Sequence, residues 1–258
     1  MRRWMGVVVL LGSLVPEARA QATPATAKIL EDVKAAYAKQ ERPMVVFDLE
    51  GTVFDNRPRI LQILKEYADQ ELKTVRPEAA QKINALTPQL IQYMLADTLQ
   101  KAGVTEEAVV NNAAVFWSQR FFSDDYLRYD APVPGAVNFV RALYSAGARI
   151  VYLSGRDAPR QLMGTVRALR DHGFPIGIQG TELILKPSLQ VVDAQYKQQA
   201  TNYLRHFGKV IAAFDTEPAN VNVYKRAFAD ASVILVSAPH TPNAPPLLAG
   251  IELLDRFE

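Results

Sequence analysis

The sequence contains no cysteine. This absence excludes disulfide scaffolds, zinc sites built on thiolates and cysteine nucleophiles. Lysine and arginine nowhere form a block of five or more, so no electrostatic footprint indicates binding to nucleic acid or to an acidic membrane. Hydrophobic residues make up 49% and charged residues 22% of the 258 positions, which excludes a disordered, collagen-like or coiled-coil chain. A globular fold whose chemistry depends on other side chains is therefore expected.

The first twenty residues have the pattern of an export signal. Arg2 and Arg3 precede an apolar run over residues 6–15, and Ala18-Arg19-Ala20 then gives the small-x-small pattern at which signal peptidases cut. A stable membrane anchor needs about 20 apolar residues, so this run is too short to form one. We therefore predict a signal peptide over residues 1–20 and an exported protein, periplasmic or secreted. The whole chain carries 29 basic and 27 acidic residues, and three basic residues and one acidic residue lie in that leader, so the remainder is formally neutral.

Short apolar runs alternate with segments that have helical periodicity in the rest of the chain. This alternation is typical of a parallel sheet covered by helices on both faces. Between Thr52 and Arg149 the alternation stops, and the sequence predicts helices only. We predict a Rossmann-like α/β core over residues 21–56 and 131–258, with an inserted α-helical cap over residues 57–130. The predicted strands are residues 44–47, 149–153, 183–185, 210–214 and 233–236, and the predicted helices of the cap are residues 59–72, 77–85, 88–101 and 106–121.

Chemically active side chains follow three of the predicted strands. They are Asp48 to Thr52 after the first strand, Ser154 to Asp157 after the second, and Asp215 to Glu217 after the fourth. Ligands of open α/β sheets bind beyond the carboxyl ends of the strands, so these side chains are expected to converge. Two carboxylates with a carbonyl and waters suit Mg²⁺. A further acid, two residues beyond a nucleophilic carboxylate, can protonate a leaving oxygen and then activate water. The set therefore indicates hydrolysis of a phosphate ester.

The segment VVFDLEGT at residues 45–52 resembles the first motif of the haloacid dehalogenase (HAD) superfamily, a strand followed by Asp-x-Asp-Gly-Thr. The resemblance extends from about residue 44 to residue 236. It implies the HAD fold, with Asp48 as both nucleophile and metal ligand. It also implies that the backbone carbonyl of Glu50 is a second ligand and that the Glu50 carboxylate serves as acid and base.

Two further motifs continue this resemblance. The segment VYLSGR at residues 151–156 is similar to the second HAD motif, a strand that ends in Ser or Thr. It implies that Ser154 and Gly155 bind the transferred phosphoryl group. The segment AFDTE at residues 213–217 is similar to the fourth motif, an acidic cluster after a strand, and it implies that Asp215 completes the Mg²⁺ site.

Two lysines compete for the role of the third motif, a lysine that holds the phosphoryl group. Lys197 lies near the start of a helix predicted over residues 193–207, and Lys186 follows the strand predicted over residues 183–185. A helix start beneath the crevice gives a short reach to the phosphoryl group. We therefore favour Lys197 as the catalytic, phosphate-binding lysine and keep Lys186 as the alternative.

Glu50 departs from the superfamily pattern, because most HAD phosphatases have Asp at this position. One interpretation is a working acid on a longer stem, as in the enolase-phosphatases of this superfamily, and the other is a non-catalytic HAD-fold binding protein. We predict a Mg²⁺-dependent phosphatase that hydrolyses a small phosphate monoester through an aspartyl-phosphate, with a phosphotransferase or mutase as the alternative enzyme. The catalytic residues would be Asp48, Glu50, Ser154 and Lys197. The expected partner is the small phosphate ester, with no nucleic acid and no stable membrane anchor, and no protein partner is implied.

Four charged residues near these motifs are expected to have structural roles. Arg57 and Arg59 lie at the hinge of the predicted cap, from which they could reach a substrate anion, and exposed salt bridges are the favoured expectation. Arg156 and Asp157 follow Ser154 at the start of a helix, where they could contact the site or pair with each other.

Overall fold

The computed structural model describes residues 23–257, so the predicted signal peptide over residues 1–20 lies outside the described residues. No helix within the described part of the chain combines the length and the apolar character needed to cross a membrane. The strands are β1 (Pro43–Phe47), β2 (Phe54–Asp55), β3 (Ala131–Pro132), β4 (Arg149–Asp157), β5 (Thr181–Lys186), β6 (Lys209–Asp215), β7 (Ser232–Val236) and β8 (Ile251–Leu254). The α-helices are α1 (Pro24–Ala38), α2 (Arg57–Tyr67), α3 (Pro77–Asn84), α4 (Leu95–Lys101), α5 (Glu107–Phe121), α6 (Ala136–Ser145), α7 (Ala158–Asp171), α8 (Asp193–Leu204) and α9 (Pro218–Ala227).

Six of the strands form one parallel sheet in the order β5-β4-β1-β6-β7-β8. Successive side chains of a strand point to opposite faces of the sheet, and the residues of β1 follow this rule. Val45 and Phe47 pack in one buried cluster with α1 and α6, whereas Met44 and Val46 pack in another with α8 and α9. Burial of both faces explains why the strand is continuously apolar. The predicted α/β sheet with helices on both faces is thus confirmed.

Strand β1 lies at the point where the chain changes sides in the sheet. The chain proceeds from β1 to β4 and β5 on one side, and then returns to β6 on the other side of β1. Such a reversal opens a crevice at the carboxyl ends of the strands, where open α/β sheets bind their ligands. The segments that follow β1, β4 and β6 therefore meet at this edge.

The helical insertion, residues 57–130, lies between two short strands that pair with each other. Phe54 and Asp55 of β2 face Pro132 and Ala131 of β3 in antiparallel register. Helices α2 to α5 surround a buried cluster of their own, separate from the two clusters at the sheet. The insertion thus begins with α2 at Arg57 and ends before β3 at Ala131.

The helix predicted over residues 88–101 is interrupted in the structure. A 3₁₀ turn spans Pro88–Leu90, and α4 begins only at Leu95. Between them the hydroxyl of Thr98 accepts a hydrogen bond from the backbone N–H of Gln92 at 2.9 Å. The N–H of Gln92 is therefore bound by a side chain instead of a helical carbonyl. Threonine side chains often accept hydrogen bonds from backbone N–H groups near the start of a helix.

Strand β8 was not expected from the sequence. It follows the proline-containing segment after β7 and pairs with β7 in parallel, with Val233 opposite Ile251. Only Leu254 of its four residues is buried. A short edge strand of this kind lacks the apolar run by which the buried strands are recognised.

Candidate active site

Asp48 and Asp215 lie side by side at the carboxyl ends of β1 and β6. Phe47 and Phe214 are register partners in these two strands, and the backbone N–H of Asp48 donates to the carbonyl of Phe214 at 2.9 Å. Both carboxylates are buried. Burial raises the pKa of Asp48 to about 8 against the pull of Lys197, and the neighbouring charges of Asp215 and Asp193 add to the rise. Burial and the neighbouring carboxylates therefore disfavour the ionised form of Asp48, which a cation beside it would restore.

Lys197 on α8 joins the two carboxylates. Its Nζ lies 2.8 Å from Oδ1 of Asp48 and 2.7 Å from Oδ2 of Asp215. Burial alone would lower the pKa of this lysine, but the charges of Asp215 and Asp48 outweigh burial and hold the pKa well above its usual value. Lys197 is therefore a permanent cation in contact with the predicted nucleophile.

Lys186, the alternative lysine, makes different contacts. Its Nζ donates to the carbonyl of Val191 at 3.1 Å and lies 3.9 Å from Oδ1 of Asp193. Of the two candidates, Lys197 contacts Asp48, whereas Lys186 contacts Val191 and lies near Asp193 only.

Three donors on or before α9 hold the Asp215 carboxylate in addition to Lys197. The backbone N–H of Glu217 and the side-chain amide of Asn220 donate to Oδ1 at 3.0 and 3.2 Å. The hydroxyl of Tyr224 donates to Oδ2 at 3.3 Å. The contact with Tyr224 was not predicted from the sequence. Its only signal there is an aromatic residue two helical turns beyond Glu217, which is equally typical of a core position.

Ser154 and Gly155 follow the predicted strand run and lie within the longer β4. Ser154 is buried, and its hydroxyl accepts a hydrogen bond from the backbone N–H of Arg156 at 3.3 Å. A Cβ atom at Gly155 would lie 2.5 Å from Oδ1 of Asp193. A side chain at this position would displace the Asp193 carboxylate, which therefore lies directly beside the predicted phosphate-binding residues.

Glu50 lies in a buried group of charges that we call the arginine–carboxylate cluster: Glu50, Arg59, Asp130 and Arg156. Oε1 of Glu50 is 2.5 Å from Nη2 of Arg59 and 3.2 Å from Nε of Arg156. Asp130 lies 3.0 Å from Arg59 and 2.6 Å from Arg156. Burial would raise the pKa of Glu50, but the two arginines outweigh it and lower the pKa to about 2. The Glu50 carboxylate is therefore ionised at neutral pH.

The expectation of an exposed Arg59 is wrong, because its side chain is completely buried in this cluster. Arg57 does form the expected partly exposed salt bridge, with Asp55 at 2.7 Å. Arg156 pairs with Glu50 and Asp130 instead of Asp157, which pairs with Arg160 at 3.2 Å. Periodicity indicated which residues start a helix, but it contains no information on partners from distant segments.

The donor set at the crevice fits the predicted Mg²⁺. Within residues 23–257, no three acidic or histidine side chains converge as a metal site made of side chains alone would require. The predicted set needs only two carboxylates, Asp48 and Asp215, and the carbonyl of Glu50, which accepts from the Thr216 hydroxyl at 3.3 Å. Beside them Oδ1 of Asp193 is buried without a hydrogen-bond partner. Asp48, Asp193 and Asp215 together face Lys197 and the more distant Lys186. The raised pKa of Asp48 reflects this imbalance of charge, which a hard cation with oxygen ligands would offset.

Comparison with family models finds no match, and comparison with curated proteins finds none either. Solved structures do resemble this chain. A predicted phosphoglycolate phosphatase from Haemophilus somnus 129PT is 15% identical with a TM-score of 0.50, over 83% of this chain and 94% of that one. A HAD-superfamily hydrolase of subfamily IA from Geobacter sulfurreducens PCA is 9% identical with a TM-score of 0.49, over 83% and 92%. A predicted phosphatase from Clostridium acetobutylicum is 15% identical with a TM-score of 0.48, over 82% and 93%.

At these identities the likeness shows the fold alone. The structure at a TM-score of 0.50 shares its overall course with this chain over most of both molecules. The chain therefore shares the α/β fold of that structure, and the Rossmann-like α/β fold predicted from the sequence is confirmed. The roles of the individual site residues stay predictions.

Proposed function

We propose that this protein is an exported, Mg²⁺-dependent phosphatase that hydrolyses a small phosphate monoester through an aspartyl-phosphate on Asp48. The observation that carries the proposal is the position of Asp48 in the crevice. Its carboxylate shares Lys197 Nζ with Asp215, at 2.8 and 2.7 Å, beyond the carboxyl end of a central strand. A carboxylate nucleophile for phosphorus needs a cationic neighbour of this kind, because the ester and the nucleophile are both anionic.

The residues of the chain divide the reaction between them. Oδ of Asp48 attacks phosphorus and the bond from phosphorus to the ester oxygen breaks. Glu50 would pass a proton to that oxygen, and because its carboxylate is ionised at neutral pH it must first take this proton from solvent. A water oxygen then bonds to phosphorus and passes its proton to Glu50, while the bond from phosphorus to Asp48 breaks and its electron pair returns to the carboxylate. The two arginines at Glu50 keep its carboxylate ionised, so Glu50 would enter this second step without a proton of its own.

The remaining predicted residues hold the transferred group. The hydroxyl of Ser154, the backbone N–H of Gly155 and the ammonium of Lys197 would bind its oxygens. Mg²⁺, when bound by Asp48, Asp215 and the carbonyl of Glu50, supplies positive charge that offsets the charge of the phosphoryl group.

The helical insertion would act as the cap that excludes water from the crevice. One contact between the insertion and the core supports this role. The hydroxyl of Tyr93 lies 2.9 Å from the hydroxyl of Thr241, whose backbone N–H donates to the Glu217 carboxylate at 3.2 Å. Glu217 in turn donates its own backbone N–H to Asp215. The insertion thus contacts the core close to the catalytic carboxylates.

Phosphate release from a panel of sugar, nucleotide and lipid monoesters tests the proposal. We expect release with Mg²⁺, no release with EDTA, and a loss of about a thousandfold or more in Asp48→Asn, because an amide is not a nucleophile for phosphorus. Asp171→Asn is the matched control, since Asp171 is an exposed residue on α7. Undiminished release by Asp48→Asn would overturn the assignment of the nucleophile. Transfer to added alcohols in place of water would identify a phosphotransferase, and no release from any monoester would favour a binding protein.

A further inference from the structure

We propose that Arg59 and Arg156 are positioning residues that hold one oxygen of Glu50 and so present the other oxygen to the reacting water. Because Arg59 belongs to the helical insertion, the insertion then takes part in the hydrolytic step as well as covering the crevice. The inference rests on the phosphatase proposed above.

Both arginines bind the same oxygen of Glu50. Nη2 of Arg59 and Nε of Arg156 contact Oε1, whereas no residue among 23–257 donates a hydrogen bond to Oε2. The Glu50 side chain retains 28% of its exposure, while those of Arg59 and Arg156 retain 0% and 1%. The accessible end of the cluster is therefore Glu50, and its unbound oxygen is Oε2.

Other contacts fix the arginines themselves. Nη1 of Arg59 donates to the carbonyl of Phe121 at 3.1 Å, and its guanidinium lies 3.8 Å from the centre of the Phe121 ring. Nη1 of Arg156 donates to the Thr165 hydroxyl at 3.1 Å. Asp130 contacts both arginines. A planar guanidinium with several bound donors is held in one orientation. Glu50 is therefore bound by two fixed groups, one from the helical insertion and one from β4 of the core.

The hydrolytic step is the one that depends on this orientation. A water oxygen forms its bond to phosphorus while its proton goes to Oε2 and the bond from phosphorus to Asp48 breaks. An unrestrained Glu50 would spend little time in the geometry for this transfer. Formation of the aspartyl-phosphate from an ester with a good leaving group needs no proton from Glu50, and this step would keep its rate.

Rapid mixing of Arg156→Met with p-nitrophenyl phosphate and Mg²⁺ separates the two steps. We expect a burst of about one nitrophenolate per folded active site, as in wild type, followed by a steady rate lowered about tenfold or more. Acid-quenched samples should contain the accumulated phosphoenzyme. Arg156→Lys keeps the charge and the bulk of the stem but loses the planar fork, so it should give the same two phases, and it carries the test if Arg156→Met does not fold.

Arg160→Met is the matched control, because Arg160 lies on α7, is about half exposed and pairs only with Asp157 within the described residues. It should behave as wild type. The inference is wrong if the Arg156 variants lose burst and steady rate in the same proportion, or if they keep both. A wild-type protein that forms no phosphoenzyme would instead contradict the proposed function, and the two failures are therefore distinguishable.

Discussion

The ammonium of Lys197 lies 2.8 Å from the carboxylate of Asp48, a residue 149 positions earlier in the chain. The contact depends on the parallel register of β1 and β6, which places Asp48 beside Asp215, and on α8, which brings Lys197 beneath both. One cation thus serves two buried anions. Most of the expected behaviour of the site follows from this charge balance.

Replacing Lys197 by methionine should lower kcat/KM for phosphate release by about a hundredfold or more, because a charged donor to the transferring group is lost. The same change leaves two buried carboxylates without their counter-charge, which costs about 3–5 kcal/mol of folding free energy. Activity must therefore be expressed per folded protein, with folding followed by circular dichroism. Lys186→Met is the control and should stay within about threefold of wild type, since Lys186 contacts neither Asp48 nor Asp215. Equal losses in the two variants would contradict the assignment of Lys197.

Glu50→Asp should lower kcat by about tenfold, although it restores the residue that most HAD phosphatases carry. The shorter stem withdraws the carboxylate by about 1.5 Å. It would then no longer reach Arg59 and Arg156, which contact the longer side chain at 2.5 and 3.2 Å. Steady-state kinetics on the best monoester of the panel measures the effect. A large gain in activity would show that glutamate at position 50 suppresses catalysis, as expected for a non-catalytic binding protein.

Mg²⁺ should raise the thermal stability of the apoprotein, because it offsets the repulsion between Asp48, Asp193 and Asp215. At a concentration of one hundred times Kd the gain is about 2.7 kcal/mol, which corresponds to an increase in Tm of about 5–10 °C for a chain of this size. Differential scanning fluorimetry with Mg²⁺ or EDTA measures it without reference to activity. Asp215→Asn should abolish the Mg²⁺-dependent part of Tm, and Asp171→Asn should retain it. An unchanged response in Asp215→Asn would exclude Asp215 as a ligand.

Tyr152 should make the protein sensitive to alkali. Its hydroxyl donates to the carbonyl of Pro175 at 3.0 Å in the core, and burial raises its pKa above the usual value. The folded state therefore keeps the hydroxyl neutral, whereas the unfolded chain ionises above about pH 10. This contribution to stability is complete below pH 10 and falls by about 1.4 kcal/mol for each further pH unit until the folded-state pKa is reached.

Tyr152→Phe should accordingly be less stable at pH 7 by about 1 kcal/mol through the lost hydrogen bond, and its stability should fall less steeply above pH 10. Urea denaturation at several pH values measures both effects. Tyr37→Phe removes an exposed hydroxyl and is the control. An identical alkaline slope in wild type and Tyr152→Phe would contradict the prediction.

The sequence was sufficient to predict the sheet and the pair of carboxylates because both depend on local patterns. A continuous apolar run identifies a buried strand, and parallel strands bring the residues that follow them to one edge. Asp48 and Asp215 could be placed together on that basis. Lys197 was favoured over Lys186 by its place near a helix start, and the observed contact agrees with this choice.

The arginine–carboxylate cluster could not be predicted in the same way. Arg156 and Glu50 are 106 positions apart, and Arg59 and Asp130 lie at opposite ends of the helical insertion. Their contacts depend on how the insertion packs on the core, which no periodicity encodes. The interruption before α4 escaped prediction for a related reason, since it depends on one hydrogen bond between Thr98 and Gln92.

The paired strands β2 and β3 bring the two ends of the helical insertion side by side at Asp55 and Ala131. The cluster divides at the same boundary. Arg59 and Asp130 travel with the insertion and Arg156 and Glu50 stay with the core, so each half contains one positive and one negative charge. Arg59 and Asp130 would remain paired with each other, and so would Arg156 and Glu50, if the insertion were separated from the core. Replacing the insertion by one from another protein would therefore leave no unpaired charge in the core. Glu50 would then be bound by Arg156 alone, unless the new insertion also supplied an arginine at this place.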